Sequence, residues 1–273
     1  MVKMRKYTIS FCILAVSFFL TCVNSYALVI GPARLETRLP AGEVTVIDYY
    51  AQNDTEGTMH VVVEPENWGA YAHGYKDLPV KSWITLDTYE FDLKPREIKK
   101  IKLKVRTPTN VKGEVAVQVY FSSVVVEAGA TPETGIRSRL GAVLYVAIKG
   151  TETPEAKIKD VAVSKLLKDG KESLNIMISV ANSGNVHILP ASMEALIKNE
   201  KGVEIKKLDL PCGKSMLPCQ TNTYSVSWDV PELKAGMYTV EIIMKYGKMY
   251  TKEKTALSRK RFEVNNSGEV ITK

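Results

Sequence analysis

Beyond its first 27 residues this chain is poor in cysteine and histidine, and it has no apolar run long enough to cross a membrane. Of four cysteines, Cys12 and Cys22 lie close to the N-terminus, so only Cys212 and Cys219 remain, which excludes a disulfide-dense scaffold. The three histidines, His60, His73 and His187, are far apart and none stands in a His-x-x-x-His or Glu-x-x-His setting, so zinc-ligand spacing is absent. There is no Gly-x-Ser-x-Gly elbow and no Gly-x-Gly-x-x-Gly turn. Gly213-Lys214-Ser215 ends like a phosphate loop, but the position of that motif's first glycine is Leu208, and no helix pattern follows. No carboxylate pair stands out above the general background of Asp and Glu. These absences predict a non-enzymatic protein with no metal and no cofactor.

The N-terminus is a different matter. Lys3, Arg5 and Lys6 precede an apolar run, Phe11–Leu20, and no acidic residue occurs before Glu36. Ser25-Tyr26-Ala27 then offers small residues at the positions signal peptidase reads. Ten apolar residues reach about 15 Å as a helix, roughly half a bilayer core, so a cleaved export signal (1–27) is expected and no stable membrane span. Cys22 after Phe19-Leu20-Thr21 raises lipidation as the alternative, although Thr21 is a poor residue before a lipidated cysteine. Cleavage after residue 27 of 273 leaves a chain that has lost three positive charges from a formal net charge of +7, too mild a balance to argue for nucleic acid. The expected location is extracytoplasmic, periplasmic first, with secretion or the cell surface as the alternative.

From Leu28 onward, β-branched and aromatic runs recur between Gly, Pro, Asn and Asp clusters. The first-half runs are Leu28–Ile30, Arg34–Thr37, Val44–Ala51, Thr58–Pro65, Ile84–Leu86, Ile98–Val105, Val115–Val126 and Ala142–Ile148. The second half has Val161–Leu166, Ser173–Ala181, Glu194–Lys198, Glu204–Leu210, Thr223–Val230, Gly236–Tyr246 and Lys260–Val264. Short strands at regular turn spacing predict an all-β protein: two tandem immunoglobulin-like β-sandwich domains after an N-terminal signal peptide. The domains are expected at 28–150 and 157–264, with 151–156 as a polar, proline-containing linker and 265–273 as a flexible tail.

Several features invite a functional and a structural reading side by side. In Lys99–Arg106, Ile101, Leu103 and Val105 face one way and Lys100, Lys102, Lys104 and Arg106 the other. That pattern is a basic binding stripe or, more ordinarily, the wet face of a half-buried strand. Trp68, Tyr71, His73 and Tyr75 share a glycine-containing loop that either contacts a partner or covers one end of a core. Cys212 and Cys219, with six residues between them and in an oxidising compartment, are expected to be joined as a structural loop clip. Redox chemistry is the lesser reading, because oxidoreductases use two intervening residues.

Three stretches of the first half resemble the N-terminal domain of periplasmic pilus chaperones. They are Ile30-Gly31-Pro32-Ala33-Arg34-Leu35-Glu36, then Leu39-Pro40-Ala41-Gly42-Glu43 with Val44–Tyr50 and Asn53, and Gly113-Glu114-Val115 with Arg139–Val146. The second half, in Val180–Asn185, Trp228 and Lys234–Val240, resembles adhesion-type immunoglobulin-like modules of bacterial surface proteins. The first resemblance implies a chaperone-like binding protein that assists assembly of pili or other surface structures, with pilin-like subunits or surface proteins as partners. A structural or adhesive surface module is the other function class. The resemblance further implies that Arg34 meets a partner's terminal carboxylate in an interdomain cleft, with Arg137 or Arg139 near a second basic position. The chain departs from the family at Glu127–Gly135, a polar loop where part of the family's strand-donating run would lie, leaving Ala142–Ile148 as the expected strand.

N-terminal sequencing of exported protein should return Leu28 as the first residue. A mature chain that begins at a lipid-modified Cys22 would overturn both the cut site and the soluble state.

Overall fold

The computed structural model describes residues 28–68, 74–126, 137–168, 171–229, 233–247 and 251–272. The expected export signal (1–27), Tyr71, His73 and the expected 127–135 loop lie outside the described residues. The first half contains β1 (Leu28–Gly31), β2 (Arg34–Leu39), β3 (Val44–Asn53), β4 (Thr58–Asn67), β5 (Ile84–Leu86), β6 (Glu90–Leu93), β7 (Ile98–Arg106), β8 (Glu114–Val126) and β9 (Arg137–Ile148). They form two facing sheets, ordered β1-β3-β7-β5 and β2-β9-β8-β4-β6. The chain passes from one sheet to the other between β1 and β2, at a cis Gly31–Pro32 bond. β2 then runs parallel to β9, from Arg34 opposite Val143 to Leu39 opposite Ile148.

The second half contains β10 (Ala156–Lys168), β11 (Lys171–Asn182), β12 (Leu189–Asn199), β13 (Glu204–Asp209), β14 (Thr221–Asp229), β15 (Gly236–Gly247), β16 (Lys254–Val264) and β17 (Val270–Thr272). Its sheets are ordered β10-β11-β14 and β13-β12-β15-β16-β17. The protein is therefore all-β, with two immunoglobulin-like sandwiches in tandem. Period-two alternation explains both cores, since inward residues of facing sheets meet between them. Tyr49 and Phe121 anchor the first, ring centroids 6.1 Å apart. Tyr238 stacks on Phe262 at 5.4 Å in the second. β7 behaves as its alternation requires: Ile101, Leu103 and Val105 are fully buried and Lys100, Lys102 and Lys104 face solvent, with Lys100 paired to Asp48 at 2.9 Å. The basic stripe is the wet face of a half-buried strand.

Each sandwich has a buried asparagine at the end of a long strand. Asn53 closes β3, donating to the carbonyls of Gly57 at 2.7 Å, Leu93 at 3.1 Å and Lys94 at 3.1 Å. Its own Oδ1 accepts from the Thr55 amide at 3.0 Å. Asn182 closes β11 in the same manner, donating to the carbonyls of Val186 and Met216, both at 2.9 Å, and accepting from the Gly184 amide at 3.0 Å. A primary amide satisfies several buried backbone groups at once, which an apolar side chain of that size cannot do.

Three sequence expectations are corrected. The tail is not loose: Asn265 organises a turn through Gly268 (φ +78), accepting from the Glu269 amide at 2.9 Å, and β17 then pairs with β16. The Thr272 hydroxyl reaches across the seam to the Val163 carbonyl at 2.8 Å, so the tail satisfies backbone of the facing sheet. Cys212 and Cys219 are free thiols rather than a clip. Their loop is held instead by Met216, bridged to Ile188 through two backbone hydrogen bonds, and by Asn182, whose carbonyl accepts the Cys219 amide at 3.1 Å. Finally, β9 starts at Arg137, earlier than the expected Ala142, because Arg137–Gly141 pair with Tyr120–Val124 of β8.

Segment 151–156 is also tied down. Asn185 accepts from the Thr153 amide at 2.6 Å and donates through Nδ2 to the Thr151 carbonyl at 3.0 Å, while Thr151 Oγ1 accepts the Gly113 amide at 2.7 Å. Two glycines make this close approach possible. A Cβ at Gly113 (φ +86) would lie 2.3 Å from the Asn185 carbonyl oxygen, and one at Gly184 would lie 2.1 Å from that of Thr153.

Asn53→Ala and Asn182→Ala should each destabilise the protein by about 2 kcal/mol or more, because each removes a donor shared by two or more backbone carbonyls, at least one of them buried. Urea denaturation checks this; a loss under about 0.5 kcal/mol would show that those carbonyls find other partners.

Candidate functional site

The side chains that join the two sandwiches come from three places. On β2, period-two alternation sends Arg34, Glu36 and Arg38 to one side of the strand. Glu114 opens β8, and His187 lies on the segment between β11 and β12. Arg34 gives Nε–H and Nη2–H to Glu36 Oε1, at 3.0 and 2.6 Å, a fork closed on one oxygen. Its Nη1 donates to Ser215 Oγ of the second half at 3.0 Å, and Nη2 also lies 2.9 Å from His187 Nε2. The guanidinium sits 5.1 Å from the centroid of the Tyr145 ring, within cation–π range. Further along β2, Arg38 pairs with Glu152 of the connecting segment.

Beneath this pair lies a carboxylate with no access to water. The Glu114 side chain is fully buried, and Oε1 accepts from the Tyr75 hydroxyl at 2.7 Å, His187 Nδ1 at 2.7 Å and the His187 amide at 3.2 Å. Acceptance by Glu114 assigns the ring proton to Nδ1, leaving Nε2 as an acceptor toward Arg34. Burial is the largest influence on this imidazole and outweighs the upward pull of Glu36; with Arg34 also opposing protonation, its pKa lies below the ordinary histidine value. Tyr145 packs against the same ring at 4.3 Å, and burial pushes its phenol upward. Around Glu114 a small apolar cluster of Tyr75, Ala116 and Tyr145 takes in Trp68 and, from the second half, Leu217.

Above the pair opens a cleft of about 440 Å³, with Arg34, Glu36 and His187 on its floor and Leu189, Ala191 and Tyr246 of the second half along its wall. About two-fifths of the Arg34 side chain is exposed there, against about an eighth of Glu36. The arrangement sets a guanidinium, already paired with a carboxylate, at the foot of an apolar wall, with Thr251 and Glu253 also lining the cleft. Among the described residues no group of three His, Cys, Asp or Glu side chains is placed to hold a metal ion, and no helix is long and apolar enough to cross a membrane.

Of the residues singled out in the sequence as partner contacts, Arg34 lies in the cleft, and Arg137, Arg139 and Trp68 do not join it. Arg139 lies over the Tyr120 ring at 3.7 Å and pairs with Glu66 on the sheet face. It precedes Val143, the register partner of Arg34, by four residues, about 13 Å along the strand. Arg137 is further away still, exposed opposite Val124. Trp68 packs into the seam rather than standing out toward solvent, whereas Tyr71 lies outside the described residues. Glu36, Glu114 and His187 were not assigned to the site from the sequence. Glu36 carried a signal, the same strand face as Arg34; His187 was weighed only as a metal ligand, and nothing local marks Glu114.

No family model matches the chain, and no curated protein matches it. Among solved structures, the Class 5 fimbriae chaperone CfaA is 14% identical with a TM-score of 0.48, the match covering 85% of this chain and 98% of that one. The Salmonella enterica SafA pilin in complex with the SafB chaperone gives 15% identity and a TM-score of 0.43, over 85% and 96%. The E. coli chaperone DraB gives 16% and 0.40, over 87% and 97%. At these values the likeness decides nothing about function and does not specifically support the adhesion-type reading of the second half.

Because the folded state holds His187 neutral with a depressed pKa, it contributes stability that is present above about pH 6.5 and lost as pH falls toward the folded-state value. Urea midpoints measured from pH 7.5 down to 5 should decline, and His187→Gln should flatten that decline. An unchanged slope in the variant would assign the pH dependence to other groups.

Proposed function

We propose that this chain is an exported, non-enzymatic binding protein of the chaperone type, which takes the C-terminal end of a protein partner into the cleft between its sandwiches. The observation that carries the reading is Arg34 on β2, half-exposed at the floor of the cleft beneath the apolar wall of Leu189, Ala191 and Tyr246. A guanidinium suits this work because its fork can give two parallel hydrogen bonds to one carboxylate.

Strand geometry supports the same partner. β2 covers β9 only from Val143 to Ile148, so Arg137–Ala142 have β8 on one side and, among the described residues, no strand on the other. An extended segment added to that open edge, running parallel to β9, would end where β2 begins, at Arg34. Main-chain bonds to β9 would supply affinity, and the carboxylate on Arg34 would set the register. This is the chemistry of a β-domain subunit that lacks a strand of its own. A pilin-like subunit in the periplasm is the partner it fits, in line with the resemblance carried by Ile30–Glu36 and Gly113–Val115.

The test uses a synthetic N-acetyl heptapeptide of alternating Val and Thr, as free acid and as C-terminal amide, with affinity read by fluorescence anisotropy at pH 7.5. The acid should bind and the amide should lose about 2 kcal/mol or more, as for truncation of one member of a desolvated charge pair. Arg34→Ala should cost the acid a similar amount while leaving the amide unaffected, and Arg34→Lys should recover part of the loss. Acid and amide binding alike would remove Arg34 from the site.

A further inference from the structure

Arg34, Glu36 and His187 form a closed triangle. Arg34 Nη2 is 2.6 Å from Glu36 Oε1 and 2.9 Å from His187 Nε2, and those two acceptors are only 3.1 Å apart. With the ring proton on Nδ1, engaged by Glu114, the atom facing Glu36 is a bare lone pair. The guanidinium between them is what makes that approach tolerable.

We propose that Glu36 occupies the place of the partner's carboxylate on Arg34, and that its displacement is coupled to uptake of one proton by His187. The proposal rests on the cleft's being a carboxylate site. An incoming carboxylate must take the Nε–H and Nη2–H that now point at Glu36 Oε1. Once they turn away, Glu36 and His187 Nε2 face each other with no donor between them. A proton from solvent on Nε2 replaces the missing donor and turns the repulsion into a charge-assisted hydrogen bond. The imidazolium then bridges Glu36 and Glu114, from β2 and β8. Before binding, Arg34, Glu36 and Glu114 sum to one negative charge; partner carboxylate plus proton leaves that sum unchanged, whereas the carboxylate alone would double it in a desolvated site.

The other groups around the ring agree with this exchange. Tyr145 of β9 lies against it, Tyr75 shares Glu114 from the far side, and Glu253, just before β16, lines the cleft. Apart from Arg34 these neighbours are neutral or acidic, so turning the guanidinium away leaves surroundings that favour a positive ring. Glu36 is thus an internal competitor that keeps the empty fork closed, and His187 holds it aside when the partner arrives.

The same acid and amide heptapeptides provide the test, titrated at pH 7.5 and pH 5.5, where the peptide's own carboxyl stays ionised. Wild-type affinity for the acid should rise about tenfold on acidification, since one linked proton changes affinity by up to tenfold per pH unit. Calorimetry at pH 6.5 in buffers of different ionisation enthalpy should register uptake approaching one proton. Glu36→Gln should bind the acid more tightly than wild type at pH 7.5 and vary less than about twofold between the two pH values; His187→Gln should likewise lose the pH dependence. Wild-type affinity that is flat or falls in acid, or a Glu36→Gln variant that binds more weakly, overturns the coupling while leaving the carboxylate site intact. Equal binding of acid and amide, or binding of neither, overturns the site itself.

Discussion

One buried carboxylate holds the two sandwiches in register. Glu114 has no contact with water, so the charge must be satisfied by donors fixed in space: the Tyr75 hydroxyl and both the ring and backbone N–H of His187. Two of those donors belong to the second half, and its neighbour Gly113 touches Asn185 so closely that no side chain fits between. A cluster of this kind adds little to stability compared with an apolar seam of equal volume. Its contribution is positional. An unpaired Glu114 in any other docking of the halves would be strongly unfavourable, so the angle that shapes the cleft follows from where its donors lie.

The fold was largely legible because strand alternation is a local signal. Ile101, Leu103 and Val105 declared their side of β7 without help from any distant residue, and the buried set observed there is the one the alternation requires. What stayed hidden depended on partners far away in sequence. The polar tail from Asn265 reads as loose until β16 supplies a strand to pair with and Val163 supplies a carbonyl for Thr272. The run Arg137–Gly141 has too few apolar residues to declare a strand, yet β8 imposes one.

The site was legible only in part, for the same reason. Arg34 could be picked out because Ile30–Glu36 resembles the opening strand of pilus chaperones, and alternation turns its side chain away from Ala33 and Leu35. His187, however, takes its character from Glu36 and Glu114, both of which belong to the other sandwich. No spacing rule connects them. The cysteines misled in the opposite direction: proximity in sequence suggested a bond, but the loop already had its anchors in Met216 and Asn182, and those are invisible to a count of intervening residues.

The parallel pairing of β2 with β9 has a consequence for the order in which the molecule comes together. Every other ladder of the first sandwich joins antiparallel strands, several of them close neighbours along the chain, whereas this one closes a loop spanning nearly the whole of the first half. Long-range closures are slow, because the entropy of the intervening chain is lost before any contact repays it. Formation of the β2–β9 ladder, which sets Arg34 in place, is therefore the closure with the largest entropic cost in the first sandwich. Until that ladder forms, the edge of β9 from Val143 to Ile148 is bare and Arg34 is not yet in place. A bare strand edge of this kind is open to edge-to-edge pairing with another chain until the ladder closes.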